Sequence, residues 1–351
     1  MTTVIAQTAY PLSAASARVR LAGFAPVLRQ FGLEVDYRPA LTDTQYAAIV
    51  GGNWPDQKLR SLAASMAAVA RRDGVDPASP VLVHRLRSLI PVPLLEFSTR
   101  VDAYDFDDAL FAGSGSGTPR GSRMIKGEAR RWHRYVTMAR LVVAGNAHLA
   151  DAARRHASRV EVVPSCVDPP RYRLREHGDH SPVTIGWIGS PTTSGFLKPL
   201  LPVLERLNRD RLRARLLTVG AAPLPPHRWL EQRPWSLERE ATDLADFDVG
   251  VMPLPDTTWT RGKCGYKVLQ YFAAGIPVVA SPVGVSARLV APERGRLAAS
   301  DSDWSVALGE LAADTETRRQ LGAAGRRLVE REYSYGRWAP ELAQMLRSLS
   351  G

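Results

Sequence analysis

The segment Arg261-Gly-Lys-Cys-Gly-Tyr-Lys267 crowds cations and glycines directly ahead of a helix-forming stretch. Apolar residues at helical spacing run from Tyr266 to Ala274, Gly275 and Pro277 stop the helix, and Val278-Val-Ala280 follows as a short buried strand. A cation in a first helical turn sits at the positive end of the macrodipole. Lys263 and Lys267 therefore make electrostatic sense when an anion lies between them and the backbone amides, and phosphate is the anion that fits. Gly262 and Gly265 let the backbone approach such a ligand closely. The chain has 46 basic residues, but only Lys58, Lys126, Lys198, Lys263 and Lys267 are lysines, and two of them fall here. The alternative is a solvated basic turn.

Two further stretches could carry chemistry. Asp105, Asp107 and Asp108 end an extended segment, where carboxylates are costly together unless solvated or bound to something. A metal, a hydroxyl-rich acceptor or helix capping would each account for them, and no surrounding ligand set selects the metal. The loop Pro11-Leu-Ser-Ala-Ala-Ser-Ala-Arg-Val-Arg20 is small and polar and opens onto a helix, a position that faces the ligand crevice of a strand–loop–helix unit. Arg18 and Arg20 are placed to reach an anionic or hydroxyl-rich ligand, with a solvated helix face as the alternative. His84, beside an apolar strand, reads as a satisfied structural histidine. Cys166 and Cys264 are too few for a disulfide framework and lack metal-ligand neighbours, so they read as packed small residues.

The elements that must position these residues alternate. Strands are expected at 3–6, 33–37, 81–84 and 160–164, a strand or turn at 92–97 and an extended segment at 101–108, with helices at 14–32 (kinked at Pro26), 62–69 and 147–156, the last capped by Asn146. A flexible loop at 113–122 precedes a basic helical stretch from Met124 to Val143, whose end, 141–144, reads alternatively as a strand. Residues 169–182 are polar and punctuated by prolines, as a linker would be. The pattern then restarts: strand 183–189, helix 196–208, strand 216–219, a helical turn at 244–247, strands 249–252 and 278–280, and closing helices near 302–312, 315–332 and 337–349. Such alternation predicts α/β domains with mainly parallel sheets covered on both faces.

At 351 residues the chain can hold two domains, and its 45% apolar content is that of a globular protein. The formal net charge of +11 suggests an anionic partner. The densest basic cluster is Arg120, Arg123, Lys126, Arg130, Arg131, Arg134 and Arg140 with His133, read as a solvated face, the alternative being docking on an anionic membrane surface or acceptor. Aromatic interleaving, helix-turn-helix and zinc patterns are all missing from the sequence, which disfavours nucleic acid. No run reaches the length of a membrane span, and the chain is expected in the cytoplasm. A dinucleotide-dependent oxidoreductase is disfavoured because no Gly-x-Gly-x-x-Gly follows the first strand.

Taken together, Val-Val-Pro-Ser-Cys-Val-Asp168, Gly-Trp-Ile-Gly-Ser190, Asp248-Val-Gly-Val-Met-Pro-Leu254 and Gly-Lys-Cys-Gly-Tyr-Lys267 through Ala-Ala-Gly-Ile-Pro-Val-Val-Ala-Ser281 resemble the retaining nucleotide-sugar-dependent glycosyltransferases of family 4. The Ser-Ala-Ala-Ser-Ala-Arg-Val-Arg20 loop and Tyr-Asp-Phe-Asp-Asp108 resemble one subgroup of them. The resemblance implies a GT-B fold, two facing Rossmann-like domains. The acceptor domain is expected at 1–172 with the returning helix 336–351, and the donor domain at 180–335. It further implies a nucleoside diphosphate sugar as donor, a uridine diphosphate sugar by default, a hydroxyl acceptor, and no obligatory metal or other cofactor.

The sequence also departs from the family. A Glu-x7-Glu motif common there aligns with Gly262 and Gln270, and the Arg and Lys that commonly hold the donor phosphates are replaced by Ser-Pro-Thr-Thr-Ser after Gly189. Lys263 and Lys267, with Arg261, are expected to supply that charge, and Asp107 stands where the family commonly has a catalytic-region His. The resemblance thus assigns Asp107, Lys263 and Lys267 to catalysis, and Gly189, Ser190, Thr192, Arg261, Gly265, Tyr266, Gln270 and Trp235 to the donor. Ser16, Arg18, Arg20, Asp105 and Asp108 fall to the acceptor. Fixed positive potential at the β-phosphate would stabilise the departing nucleotide. A sugar-nucleotide epimerase of the same fold and a catalytically inactive nucleotide-sugar-binding homologue are the competing readings.

Overall fold

The computed structural model describes residues 1–50, 78–89, 100–112, 127–209 and 214–350, together with the single residues 63, 67 and 97. Its strands are short and apolar on both faces. Val81–His84, Leu141–Ala144, Val183–Ile188 and Val249–Met252 are buried at every position, which is the pattern of a parallel sheet with helices on each side. The chain divides into two compact units: Met1–Cys166 with Gly262–Cys264 and Tyr335–Gly351, and Val167–Arg261 with Gly265–Ser334.

The first unit is built on β1 (Thr2–Thr8), β2 (Leu33–Pro39), β3 (Val81–His84), β4 (Ala103–Phe106), β5 (Leu141–Ala144) and β6 (Val160–Val162), all parallel in the order β2-β1-β3-β4-β5-β6. Helices Ala25–Gln30 and Tyr335–Arg347 cover one apolar layer through Phe24, Leu28, Leu342 and Leu346, while Trp132, Tyr135 and Leu149 cover the other. The Tyr104 ring stacks on Phe106 at 5.4 Å and on Tyr135 at 5.1 Å, so one aromatic column fixes β4 against helix Glu128–Met138.

The second unit contains β7 (Val183–Ile188), β8 (Ala214–Val219), β9 (Leu230–Arg233), β10 (Val249–Met252), β11 (Val278–Ala280) and β12 (Gly295–Leu297), parallel in the order β12-β11-β10-β7-β8-β9. This is the doubly wound arrangement, with the chain reversing direction between β7 and β10. In the first unit the reversal falls between β1 and β3. Ligands of such sheets bind beyond the carboxyl ends of the strands at these switch points, which directs attention to the loops after β1, β3, β7 and β10.

Two strands escaped the sequence. Only one position of β9 is fully exposed, yet none is buried, and β12 is a three-residue Gly-Arg-Leu; both are edge strands without an apolar run. The helix expected at 14–32 is divided. Ala15–Ala17 runs into a π-helical turn, Arg18–Ala22, and a second helix begins at Ala25. Pro26 does not kink it: proline stands in the first turn, where its missing N–H costs nothing. The break falls instead at Gly23, where the Tyr335 ring occupies the space a Cβ would need, at 2.2 Å. The turn expected at 244–247 forms earlier, as Glu240–Leu244, and the helix after Asn146 ends at Ala153. The elements expected at 62–69, 92–97 and 113–122 lie, apart from residues 63, 67 and 97, outside the described residues. Among the described residues no helix is long and apolar enough to cross a membrane.

Candidate active site

In the first unit, the strand ends at the β1/β3 switch point converge on one polar network. His84, the last residue of β3, is in register with Asp105 of β4, and its Nδ1 lies 2.7 Å from Asp105 Oδ2. The other ring nitrogen, Nε2, lies 2.7 Å from Ser16 Oγ in the helix after β1. Ser16 Oγ also reaches Asp107 Oδ1 at 2.8 Å and Oδ2 at 2.9 Å. Behind this row the Arg20 guanidinium grips Asp105 with two nitrogens and donates to the Val163 carbonyl at 2.6 Å. In front, Arg85 donates from Nε to Asp107 and from Nη2 to Asp108, both at 2.5 Å, and Lys263 Nζ donates to Asp108 Oδ1 at 2.8 Å.

Three carboxylates thus face three permanent cations, Asp105, Asp107 and Asp108 against Arg20, Arg85 and Lys263. Burial alone would push the Asp105 and Asp107 carboxyls up; Arg20 and His84 outweigh it at Asp105, and Arg85, His84 and Arg20 outweigh it at Asp107. Both are held below the ordinary carboxylate range. Burial pushes the nearby Tyr10 hydroxyl up to about 12 against the opposing pull of Arg85. Arg85 has φ 55°, the one non-glycine residue with positive φ among those described. Such a conformation costs about 1–3 kcal/mol and persists where neighbours over-determine it. Here the Arg85 N–H donates to the Asp105 carbonyl at 2.8 Å and the Tyr104 hydroxyl donates to the Arg85 carbonyl at 3.0 Å. The strained turn aims the guanidinium at the two aspartates beyond β4.

The network gathers Ser16, Arg20, Asp105, Asp107, Asp108 and Lys263 from the sequence reading. Arg20 and Asp105 are buried, so they form its floor and act on a ligand only through the residues above them. Arg18 turns back on its own loop, donating to the Leu12 and Ser13 carbonyls at 3.1 and 3.3 Å. His84 and Arg85 were missed as site residues. The available signal was a His-Arg pair at the carboxyl end of an apolar strand. Asp105, Asp107 and Asp108 are engaged by cations, and among the described residues no three His, Cys, Asp or Glu side chains are arranged to hold a metal ion. Arg131, placed by sequence on a solvated basic face, is buried and donates to the Ser88 carbonyl at 2.6 Å.

Asn146 ties Gly262–Cys264 into this unit. Its Oδ1 accepts from the Leu149 N–H at 2.9 Å, capping helix Ala147–Ala153, and its Nδ2 donates to the Gly262 carbonyl at 3.0 Å. Cys264 packs beside it, its thiol pushed well up by burial. Asn146→Ala removes the cap and leaves the Gly262 carbonyl without this donor. A loss of about 1–2 kcal/mol is expected in urea unfolding of the full chain.

In the second unit the loop after β7 forms a compact hydroxyl-lined turn. Ser190 Oγ lies 2.9 Å from Thr192 Oγ1, and both residues are exposed. Gly189 and Gly220 are required there. A Cβ on Gly189 would come within 2.5 Å of the Trp187 ring and 2.7 Å of Lys267 Cε. Gly220 has φ +78°, and a Cβ would meet the Gly189 carbonyl at 2.3 Å and Trp235 Cβ at 2.9 Å. Lys267 Nζ lies 5.3 Å from the centroid of the Trp187 ring. Gly189, Ser190, Thr192, Lys267 and Trp235 are therefore neighbours around the carboxyl ends of β7 and β8.

Helix Tyr266–Ala273 begins at Gly265, an N-cap with φ 70° that carries no side chain to satisfy the first amides. Gln270, on the same helix, is buried and donates to the Tyr172 hydroxyl at 3.3 Å; Tyr266 bonds that hydroxyl as well. Trp235 Nε1 donates to Glu240 at 3.0 Å. Arg261 turns to Asp256 at 2.6 Å, and Lys263 ends on Asp108 as described, so of the three cations expected at the phosphates Lys267 is the one beside the β7 turn.

No curated protein sequence matches the chain. Among solved structures, the sucrose-phosphate synthase from Thermosynechococcus elongatus is similar over 99% of each chain, with a TM-score of 0.73 at 14% identity. WaaG, a glycosyltransferase involved in lipopolysaccharide biosynthesis, is similar over 98% of this chain and 99% of its own, with a TM-score of 0.66 at 12% identity. HepE from Anabaena, in complex with UDP and glucose, covers 99% and 100% with a TM-score of 0.61 at 12% identity. Two six-stranded parallel sheets wound in this way give the chain the GT-B fold, and its residues 205–344 match the family model described as Glycosyl transferase-like.

Proposed function

We propose that the protein transfers a sugar from a nucleoside diphosphate sugar to a hydroxyl acceptor, with retention of anomeric configuration and without an obligatory metal. Family 4 is the reading taken from the sequence motifs, and the uridine diphosphate donor is the default which that resemblance implies. The observation that carries it is the β7 turn: a hydroxyl-lined loop at a topological switch point, with Lys267 beside it and the uncapped start of helix Tyr266–Ala273 following Gly265. It lies in the unit that contains most of the glycosyl transferase-like match. The UDP and glucose held by the Anabaena neighbour support the same donor class.

Ser190 and Thr192 would donate to the diphosphate, Lys267 and the amides after Gly265 would stabilise its growing charge, and Trp235 would lie beside the base. In the first unit Ser16 and Asp107 would hold the acceptor hydroxyl, with Asp108 held between Arg85 and Lys263. Arg130, His133 and Arg134 are exposed on helix Glu128–Met138 and would dock on an anionic membrane surface. Nucleotide release from UDP-, GDP-, dTDP- and ADP-glucose, measured with and without added hydroxyl acceptors, tests the reading. One donor is expected to release nucleotide faster with an acceptor and to yield an α-linked product by NMR. Donor isomerisation without acceptor would replace the reading by epimerisation, and binding without turnover by an inactive homologue.

A further inference from the structure

The hydrogen bonds around His84 leave one proton to be decided. Asp105 accepts from His84 Nδ1 at 2.7 Å, and since a carboxylate has no proton to give, Nδ1 carries it. In the neutral ring Nε2 is then an acceptor, and it faces Ser16 Oγ at 2.7 Å. Ser16 has a single proton and two acceptors, His84 Nε2 and Asp107 at 2.8 Å. With His84 protonated every group is satisfied: Nε2–H donates to Ser16, and Ser16 donates to Asp107. The row Asp105, His84, Ser16, Asp107 is therefore built to take up one proton.

Exposure says where that proton enters. His84 is fully buried, at 0% exposure, whereas Ser16 is half-buried at the carboxyl end of the sheet. The charged groups around the ring are Asp105, Asp107 and Asp108 from β4 and the turn after it, Arg20 from the helix after β1, Arg85 next in sequence, and Lys263 and Cys264 from the 262–264 segment. Tyr10 after β1 completes the titratable set. The permanent charges balance, so a neutral His84 is the member left to accept. Asp107 is a poorer sink, because Arg85 donates to its carboxylate at 2.5 Å and, with Arg20, holds its carboxyl well below the usual range against burial.

We propose that Ser16 and His84 form a proton relay that removes the proton from the acceptor hydroxyl. The proposal rests on the sugar-transfer reading above. The acceptor O–H bond breaks and its electron pair forms the bond to the anomeric carbon on the face from which the diphosphate leaves, so that configuration is retained. The bond from that carbon to the diphosphate breaks, its pair leaving with the nucleotide. The released proton passes to Ser16 Oγ as the Ser16 proton moves to His84 Nε2, leaving an imidazolium held by Asp105. Ser16 is the catalytic residue of the pair, and His84 acts through it as a positioning and proton-storing residue.

The test uses the full chain, with UDP-, GDP-, dTDP- and ADP-glucose as donors and water or methyl glucoside as the hydroxyl acceptor. Imidazole nitrogen NMR is expected to show the Nδ1–H form of neutral His84, with an Nε2 signal that changes in Ser16→Ala as its hydrogen-bond donor is lost. In wild type, kcat falls on the acid side, where a ring that already carries the proton cannot accept another. Ser16→Ala is expected to lower kcat about 100-fold with KM nearly unchanged and to lose the acid limb, whereas Ser16→Thr, which keeps a hydroxyl, stays within tenfold of wild type. An Nε2–H tautomer, or a Ser16→Ala enzyme that keeps both kcat and the acid limb, overturns the relay while leaving sugar transfer standing. A wild-type protein that transfers no sugar, even with the expected NMR behaviour, overturns the sugar-transfer reading and the catalytic relay with it.

Discussion

In Lys267→Ala, most of the thermal stabilisation that a nucleoside diphosphate gives the wild type is lost. Lys267 is in the first turn of helix Tyr266–Ala273, where a cation opposes the helix dipole at a cost of about 0.3–1 kcal/mol without a bound anion. Its Cε lies against Gly189 and its Nζ over the Trp187 ring, at the edge of the Ser190 turn. With a diphosphate on that turn the ammonium would contribute a charge-assisted hydrogen bond of about 1.5–3 kcal/mol, so its loss weakens affinity about 10- to 150-fold. A ligand at a hundred times its dissociation constant stabilises by about 2.7 kcal/mol, which a loss of that size cuts to between about 1.4 and 0.3 kcal/mol. Thermal-shift titrations with UDP, GDP, dTDP and ADP read the outcome directly. A variant that keeps the full shift places the diphosphate elsewhere.

The parts of the fold legible in the sequence were those in which pattern and burial coincide. Val81–His84, Val183–Ile188 and Val249–Met252 announce themselves because a parallel strand covered on both faces is apolar at nearly every position. Edge strand Leu230–Arg233 does not, since none of its positions is fully buried and three of its four residues are polar. Asn146 was readable as a cap because the cap is a local contact; its second bond, to the Gly262 carbonyl, was not. The candidate site divides in the same way. Spacing brought Lys263 and Lys267 together on one ligand, yet spacing carries no information on which way a side chain turns, and Lys263 ends on Asp108. His84 looked like an isolated histidine because Ser16 and Asp105 are distant in sequence; only the strand order 2-1-3-4 makes them neighbours.

Arg20→Met is expected to destabilise the first unit by about 3–5 kcal/mol at pH 7, a large part of the roughly 5–15 kcal/mol that holds a domain folded. The side chains of Arg20 and Asp105 are 1% and 6% exposed, and the guanidinium is the principal countercharge to a carboxylate that burial disfavours. Methionine fills similar volume but leaves that carboxylate opposed only by the neutral or charged His84 and loses the donor to the Val163 carbonyl. The pH dependence follows from the sign of the shift. In wild type the Asp105 carboxyl is held below its ordinary value of about 3.9, so its contribution is present above that pH and is lost as pH falls through the lower folded value. In Arg20→Met burial is no longer outweighed by Arg20, the folded value rises, and the variant is penalised most where the carboxyl must ionise. The stability gap between variant and wild type should therefore narrow from pH 7 to pH 4. Adding Asp105→Asn to Arg20→Met removes the uncompensated charge while keeping an oxygen for His84 Nδ1–H, so the double variant should recover much of the loss. Urea unfolding followed through Trp132, packed against Phe106 of β4, reports on this unit. A gap that is the same at both pH values, with no recovery in the double variant, would mean that packing rather than the ion pair holds this corner of the sheet.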